Sequence, residues 1–296
     1  MKEHVVLHKN DFVTGDSFLR KALIRFSRHR LAVFGLIMLL CIIAGSVFYP
    51  MKNQNIAFDL NFLAISQKPN AGHWLGTDEL GRDVFMRLLL GGRVSLSVGF
   101  VSVIFSTCIG ILLGGIAGYF GGKTDMIIMR FTDTVMCFPF LIIAMILVVI
   151  LGPSLWNSML AIAMLNWTST ARITRGEILY LRERQFIEAD RCLGIRDSKI
   201  LFSHILPNAL SPIIVNATFN IANAIMTEAS LSFLGLGVPL PTPSWGNILQ
   251  DSSSLYKLQT MPWIWIPAGL MIALTVLSIN FIGDGLRDAL DPKMNL

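Results

Sequence analysis

Six stretches of this chain, at 31–49, 95–119, 135–151, 155–170, 209–231 and 262–283, are apolar over close to the length of a bilayer crossing. A hydrocarbon core about 30 Å thick is spanned by roughly 20 mostly apolar residues in a helix. Composition agrees. Charged residues fill 15% of the 296 positions and the mean hydropathy is +0.62, whereas soluble domains carry about 25% charge. So little charge does not cover a water-facing surface of this size, and lipid is the natural solvent for the excess. The expected fold is an all-α polytopic membrane protein with six transmembrane helices. Asn157, Asn166 and Trp167 interrupt the fourth run, and Asn216, Asn220 and Asn223 sit in the fifth. Both runs are expected to face other helices or a water-filled path.

The charges between the runs set an orientation. With the N-terminus in the cytoplasm, 18 of the 24 Lys and Arg fall on inside segments and 6 on outside ones, as the positive-inside rule requires. Seven of the inside ones lie between Arg172 and Lys199. The cluster Arg82, Arg87 and Arg93 runs against the rule, partly offset by Asp78, Glu79 and Asp83. Both termini are therefore expected in the cytoplasm of a multi-pass protein. The division that follows is a basic interfacial segment 1–30, a first span 31–49, an external loop 50–94, and a core 95–290 of five spans with a cytoplasmic loop at 172–208. A helix capped by Asp16 or Ser17 would run to about Arg30, with Phe18, Ala22 and Phe26 on one face and Arg20, Lys21, Arg25 and Arg28 largely elsewhere, suited to the membrane surface; a solvated basic leader is the plainer alternative. The first apolar run lies behind this polar stretch with no small-residue cleavage site after it, unlike a signal peptide. The net charge of +5 is clustered between spans, which points to anionic headgroups and not to nucleic acid. Cys41, Cys108, Cys137 and Cys192 have neither disulfide nor metal spacing.

The loop at 172–208 holds the most information. It contains Glu188-Ala189-Asp190, then Gly194, then His204-Ile205-Leu206-Pro207. Residues 182–193 can form a short helix that Gly194 ends. Glu188 puts an acid on it, Ala189 lets another surface come close, and Pro207 breaks the chain before the fifth run. The reading is a compact helical knob standing off the membrane. This spacing resembles the EAA loop of ABC importer permeases. Two further stretches narrow the resemblance. Gly76-Thr77-Asp78-Glu79-Leu80-Gly81-Arg82-Asp83 is similar to the GTDxLGRD segment of the C-type permease subunit of dipeptide, oligopeptide and nickel importers. Thr227-Glu228-Ala229-Ser230-Leu231-Ser232-Phe233-Leu234-Gly235-Leu236-Gly237, followed by Pro241, Pro243, Trp245 and Gly246, is similar to the stretch after span five of the same group. The resemblance covers about 75–292. Two positions depart from the general EAA pattern: Asp190 stands where Ala is usual, and His204 where Ile is common.

The resemblance implies the permease fold of type I ABC importers in a bacterial inner membrane. It implies a transmembrane subunit that pairs with a second related permease, two cytoplasmic ATPase subunits and an extracytoplasmic substrate-binding protein. The EAA segment then docks on the ATPase through Glu188, Ala189, Asp190, Gly194, Leu206 and Pro207. The loops 50–93 and 232–261 become the surface for the binding protein, and the cargo is a peptide, with nickel or a metal chelate as the alternative.

Other features of the chain admit plainer readings beside functional ones. Gly110, Gly114 and Gly118 bare one helix face for close packing, though Gly is common in membrane helices anyway. Glu228, an acid in a span, suits a contact to cargo or a latch of the outer gate; it equally suits an interfacial acid capped by the loop at 235–237. Asp125 and Asp133 flank the inner end of the third run in a packing or topological role. The stretch Gly118 to Thr124 misses phosphate-loop spacing by one residue and follows a span instead of a strand, so it reads as a turn and energy must come from a partner. His4, His8, His29, His73 and His204 pair with nothing at zinc spacing, and no nucleophile has a base beside it. No catalytic group, metal or cofactor is expected. From another class, a self-sufficient secondary transporter would need coupling groups deep in the spans and two-halves symmetry, neither of which is visible.

Overall fold

The computed structural model describes residues 18–52 and 54–290, and among them twelve α-helices, a few short 3-10 or π-helical turns and no strand. In chain order these are α1 (Phe18–Arg28), α2 (Arg30–Phe48), α3 (Val84–Phe120), α4 (Gly122–Met136), α5 (Phe140–Leu151), α6 (Leu155–Arg182), α7 (Gln185–Cys192), α8 (Asp197–Lys199), α9 (Leu206–Phe233), α10 (Trp245–Leu249), α11 (Leu255–Thr260) and α12 (Pro262–Leu290). Asp16, Ser17, the side chain of Phe18, and Lys2, Lys9 and Lys293 lie outside the described residues.

Four helical stretches are long and apolar enough to cross a membrane: Arg30–Phe48, Val84–Phe120, Asp197–Phe233 and Pro262–Leu290. The expected third span is a bent pair, α4 and α5, turned by 89°. Pro139 sits just before α5; it lacks an N–H and biases the residue ahead of it away from helix, so an uninterrupted rod is excluded there. Counted as one, the pair makes a fifth crossing. The expected fourth span lies within α6, which has the length, at 28 residues, but is the most polar of the expected spans.

Several elements run further than hydropathy suggests. α3 starts at Val84 instead of near 95, because Asp83 caps it, accepting from the Met86 N–H at 2.8 Å. The segment between α2 and α3 therefore ends at 83. α6 continues past 170 to Arg182, held to α4 by Asp133–Arg172 at 2.6 Å and by Asp125–Arg175. The first two helices meet at His29, whose Nδ1 accepts from the Ala32 N–H at 3.1 Å; α1 then lies against α12, with Phe26 near Gly285.

Two apolar clusters make the core. One joins α2, α3, α9, α10 and α12 through Leu39, Leu96, Ile225, Trp245 and Ile264. The other joins α3, α5, α6 and α9 through Val98, Val148, Ile162 and Leu231. α3 and α9 contribute to both and form the spine. Lipid supplies little drive for helix association, so close packing has to supply it. The glycine stripe of α3 is where that happens: a Cβ at Gly110 would lie 2.6 Å from Thr170 Cβ, one at Gly118 2.9 Å from the Arg175 carbonyl oxygen, and one at Gly114 would strike the backbone of Ala171. Partner positions rise together, 110 with 170 and 118 with 175, so α3 and α6 run parallel.

Candidate functional site

At the end of the molecule that holds residues 182–206, the knob is built as follows. α7 begins at Gln185, three residues later than the helix expected over 182–193, because α6 extends to Arg182, whose Nη1 donates to the Tyr119 carbonyl at 3.0 Å. α7 ends at Cys192 with Leu193 as its C-cap, and Gly194 turns the chain at φ +73°, a conformation that favours glycine. Its N–H donates to the Arg191 carbonyl at 3.0 Å, and the Ile195 N–H reaches back to Asp190 at 3.1 Å. Ile187 anchors α7 from below in a small core with Tyr119, Ile178, Ile200, Leu201 and Ile205. The opposite face is open. Phe186 is 45% and Leu193 79% exposed, and Glu188 and Ala189 are exposed beside them. Among the described residues the Glu188 carboxylate takes part in no hydrogen bond or ion pair, while its N–H donates to the Arg184 carbonyl at 3.2 Å. An apolar pair flanking an unpaired acid on a short rigid helix has the character of an interaction surface.

The chain returns from this knob without the break expected at Pro207. α8 passes into a π-helical turn, Ile200–Ile205, and on into α9, with Pro207 in its first turn. There a missing N–H costs little, and the wider turn accommodates the ring. Leu206 is half-buried and Pro207 exposed. Asp190 and His204, the two departures from the general pattern, are hydrogen-bonded to each other.

Glu228 lies at the other end of α9, with no exposure at all. Its carboxylate accepts from Ser95 of α3 at 2.8 Å and from Ser232 at 2.7 Å. Ser244 stands 3.4 Å behind Ser232, and the Trp245 N–H donates to Ser95 Oγ at 3.2 Å. The loop at 235–237 caps the end of α9 instead of the acid: the Gly235 and Leu236 N–H groups bond Ser232 and Leu231 carbonyls. Trp245 is fully buried, its indole N–H on the Leu88 carbonyl at 2.9 Å. A Cβ at Gly246 would lie 2.7 Å from Ala229 Cα. These contacts explain why the stretch after the fifth span needs Trp and Gly side by side: they seat α10 on α3 and α9 at backbone distance. Sequence reasoning found Glu228 and missed Ser95, Ser244 and Trp245 as its company; Ser232, one helical turn on, was the local signal available.

The Gly76–Asp83 stretch forms a hydrogen-bonded cap beside this network. Asp78 accepts from the Leu80 and Arg82 N–H groups, both at 2.9 Å, and from Arg82 Nε at 2.7 Å, with Arg87 at 3.6 Å. These contacts absorb Arg82 and Arg87, two of the three basic residues that run against the charge rule, and leave Arg93 exposed. Asp83 accepts from His73 at 2.8 Å as well as capping α3. Lys257 ties the segment before α3 to the one between α9 and α12, 2.8 Å from both Glu79 and Asp251. Burial pulls its ammonium down, and the bonds to the two carboxylates outweigh this and leave it raised. A cavity of about 270 Å³ lies between these segments, lined by Asp78, Glu79, Arg82, Arg87, Asp251 and Lys257.

The spans carry a polar seam. Asn216 donates to Thr170 at 3.1 Å, and Asn220 lies within 3.4–3.5 Å of Thr170 and Ser169. These two asparagines therefore face α6, and of the three in the fifth run only Asn223 is exposed. Asn157 closes the α5–α6 turn on the Leu151 carbonyl at 2.8 Å. Gly121 and Gly122, both at positive φ, make the turn expected between α3 and α4. Among the described residues no group of three His, Cys, Asp or Glu could hold a metal ion.

Comparison with known proteins places this architecture. Residues 110–296 match the family described as binding-protein-dependent transport system inner membrane component, and residues 17–69 match the N-terminal transmembrane domain of oligopeptide transport permease C. The chain is 44% identical to the dipeptide transport system permease protein DppC of Alkalihalophilus pseudofirmus, over 96% of this chain and 93% of that one. It is 40% identical to the oligopeptide transport system permease protein OppC of Bacillus subtilis, over 94% and 90%. It is 42% identical to the glutathione transport system permease protein GsiD of Pectobacterium atrosepticum, over 91% and 89%. Among solved structures, an inward-facing form of the MetNI methionine ABC transporter shares the fold, with a TM-score of 0.53 at 22% identity, covering 69% of this chain and 96% of its own. With these two family matches and this degree of identity along nearly its whole length, the chain belongs to the binding-protein-dependent transport system inner membrane components, as a C-type permease subunit of the dipeptide and oligopeptide ABC importer family.

Proposed function

We propose that this subunit forms half of the path through which an ATP-driven importer carries peptides into the cell. Its partners are a second, related permease, two cytoplasmic ATPase subunits and an extracytoplasmic binding protein, and both of its termini lie in the cytoplasm. The observation that carries this is α7: a short helix fixed from below by Ile187, with Phe186, Glu188 and Leu193 exposed and Glu188 unpaired. Such a helix has no use in an isolated chain and suits a groove on an ATPase. ATP-driven closure of the ATPase pair then moves α7, and α7 moves the spans. Glu188, Ala189 and Gly194 form the docking face. Leu206 and Pro207 connect it to α9, and Asp190 holds it in place. Gly110, Gly114 and Gly118 keep α3 and α6 moving as one body.

At the outer end, Glu228 ties α3, α9 and α10 into one unit and acts as a latch of the outer gate, while the segments 50–83 and 234–261 offer the binding protein its surface. A peptide cargo is favoured over nickel by the relatives, named for dipeptide, oligopeptide and glutathione transport. Purification of the tagged chain from native membranes, with partners identified by mass spectrometry, tests the assembly. A second permease and two ATPases are expected with it. Recovery of the chain alone would favour a self-sufficient transporter.

A further inference from the structure

We infer that the hydrogen bond between Asp190 and His204 is a clip that makes α7 and α9 move together, and that it sets how much transport each ATP yields. This deepens the docking role proposed for α7 and rests on it. Asp190 lies on α7, beside Glu188 and Ala189. His204 lies in the π-helical turn that continues directly into α9. Their side chains are 15% and 31% exposed, so water competes weakly for the bond. The apolar floor under α7, Ile187 against Ile200, Leu201 and Ile205, is greasy and non-directional. It resists pulling apart but does little against sliding or rolling of α7 on the turn. A directional bond at one edge fixes the roll.

The surroundings of each partner are fixed too. The Asp190 carbonyl is engaged by the Ile195 N–H, and the His204 carbonyl accepts from Asn208 Nδ2 at 2.6 Å. Each end of the clip is therefore part of a rigid turn. A π-helical segment is rare and commonly marks a functional position; here it holds His204, whose ring is bonded to Asp190 of α7. Asp190 and His204 are positioning residues. They touch neither cargo nor nucleotide, and they act through α7.

The test is a double-mutant cycle in the full transporter, reconstituted with its partners. Asp190→Ala, His204→Ile and the double variant are compared with the wild type. Three readings are taken: the ATPase subunits retained in affinity purification, ATP hydrolysis, and uptake of a mixture of labelled di-, tri- and tetra-alanine. Each single variant is expected to keep its ATPases, to hydrolyse ATP at close to the wild-type rate, and to take up about tenfold less peptide per ATP; the double variant is expected to be no worse than either single one. Singles that match the wild type, or losses that multiply in the double variant, overturn the clip. Loss of the ATPases from the single variants also overturns it, by making the pair a docking contact. Failure of the wild-type complex to assemble would instead overturn the underlying docking reading, and it shows in the first measurement alone.

Discussion

Glu228 shows how much one side chain can organise. A fully buried carboxylate is unfavourable unless its oxygens are hydrogen-bonded, and here Ser95 and Ser232 supply the bonds from two helices. Glu228→Ala leaves both hydroxyls without that acceptor, at a cost of about 1–3 kcal/mol for each group that finds no other. Glu228→Gln keeps one acceptor oxygen and the volume. We expect the Ala variant to unfold several degrees below wild type in detergent and to lose uptake, and the Gln variant to stay close to wild type in stability. Equal melting of Ala and wild type would show that the network carries no load. Glu188 makes the opposite case, being exposed and unpaired. Reversing its charge in Glu188→Arg is expected to leave the fold alone, since no described side chain bonds to its carboxylate. If it is the charged centre of the ATPase contact, the loss of about 2 kcal/mol or more typical of an interface hot spot means about thirtyfold weaker capture of the ATPases. Normal insertion with uptake abolished is the expected pair of results, and full uptake in this variant removes α7 from the docking role.

Helix by helix, what sequence makes visible depends on whether the deciding contact is local. The apolar runs, the stop at Gly194 and the turn at Gly121 and Gly122 are local, and each is legible in the residues themselves. The extent of α6 is not. Residues 171–182 read as a polar loop, yet they stay helical because Arg172 and Arg175 find Asp133 and Asp125 on α4, 39 and 50 positions away. The 89° bend between α4 and α5 was signalled by Pro139, but a hydropathy window averages across it. The partners of Glu228 are likewise remote, Ser95 lying 133 positions back. The glycine stripe of α3 is an intermediate case: its spacing is visible, and its partner is not. The contact with α6 yields a sharp prediction. Gly114→Leu puts a side chain into the backbone of Ala171 and separates α3 from α6, so folded protein in the membrane should fall severely. Gly176 on α6 has no atom within 4 Å of an added Cβ and an ordinary φ; Gly176→Ala should be neutral or stabilising by up to about 1 kcal/mol from helix propensity. Fluorescence-detected size exclusion of tagged variants measures both. A folded Gly114→Leu chain at wild-type yield would show that this close approach is dispensable.

For the whole molecule the central proposal is topology, and the residues to test it are already in place. Leu63 is 95% exposed in the segment before α3, and Cys192 is exposed at the end of α7. Between them lie α3, the bent pair α4–α5, and α6. If all three cross the membrane, Leu63 and Cys192 are on opposite sides. If the polar helix α6 fails to cross, they are on the same side. The polar seam argues for crossing: Asn216 and Asn220 of α9 spend their amides on Ser169 and Thr170 of α6, a pairing that suits two helices buried against each other in lipid. The charge rule places Cys192, among seven basic residues, in the cytoplasm. The measurement uses a membrane-impermeant maleimide on two single-cysteine chains, one keeping Cys192 and one carrying Leu63→Cys, with the other native cysteines changed to Ser. In right-side-out vesicles Leu63→Cys should label and Cys192 should not; inverted vesicles should reverse the result. Labelling of both from one face would remove α6 as a span. It would also remove the knob from the cytoplasm or the outer segments from the outside, and with it the physical link between ATP on one side and cargo on the other.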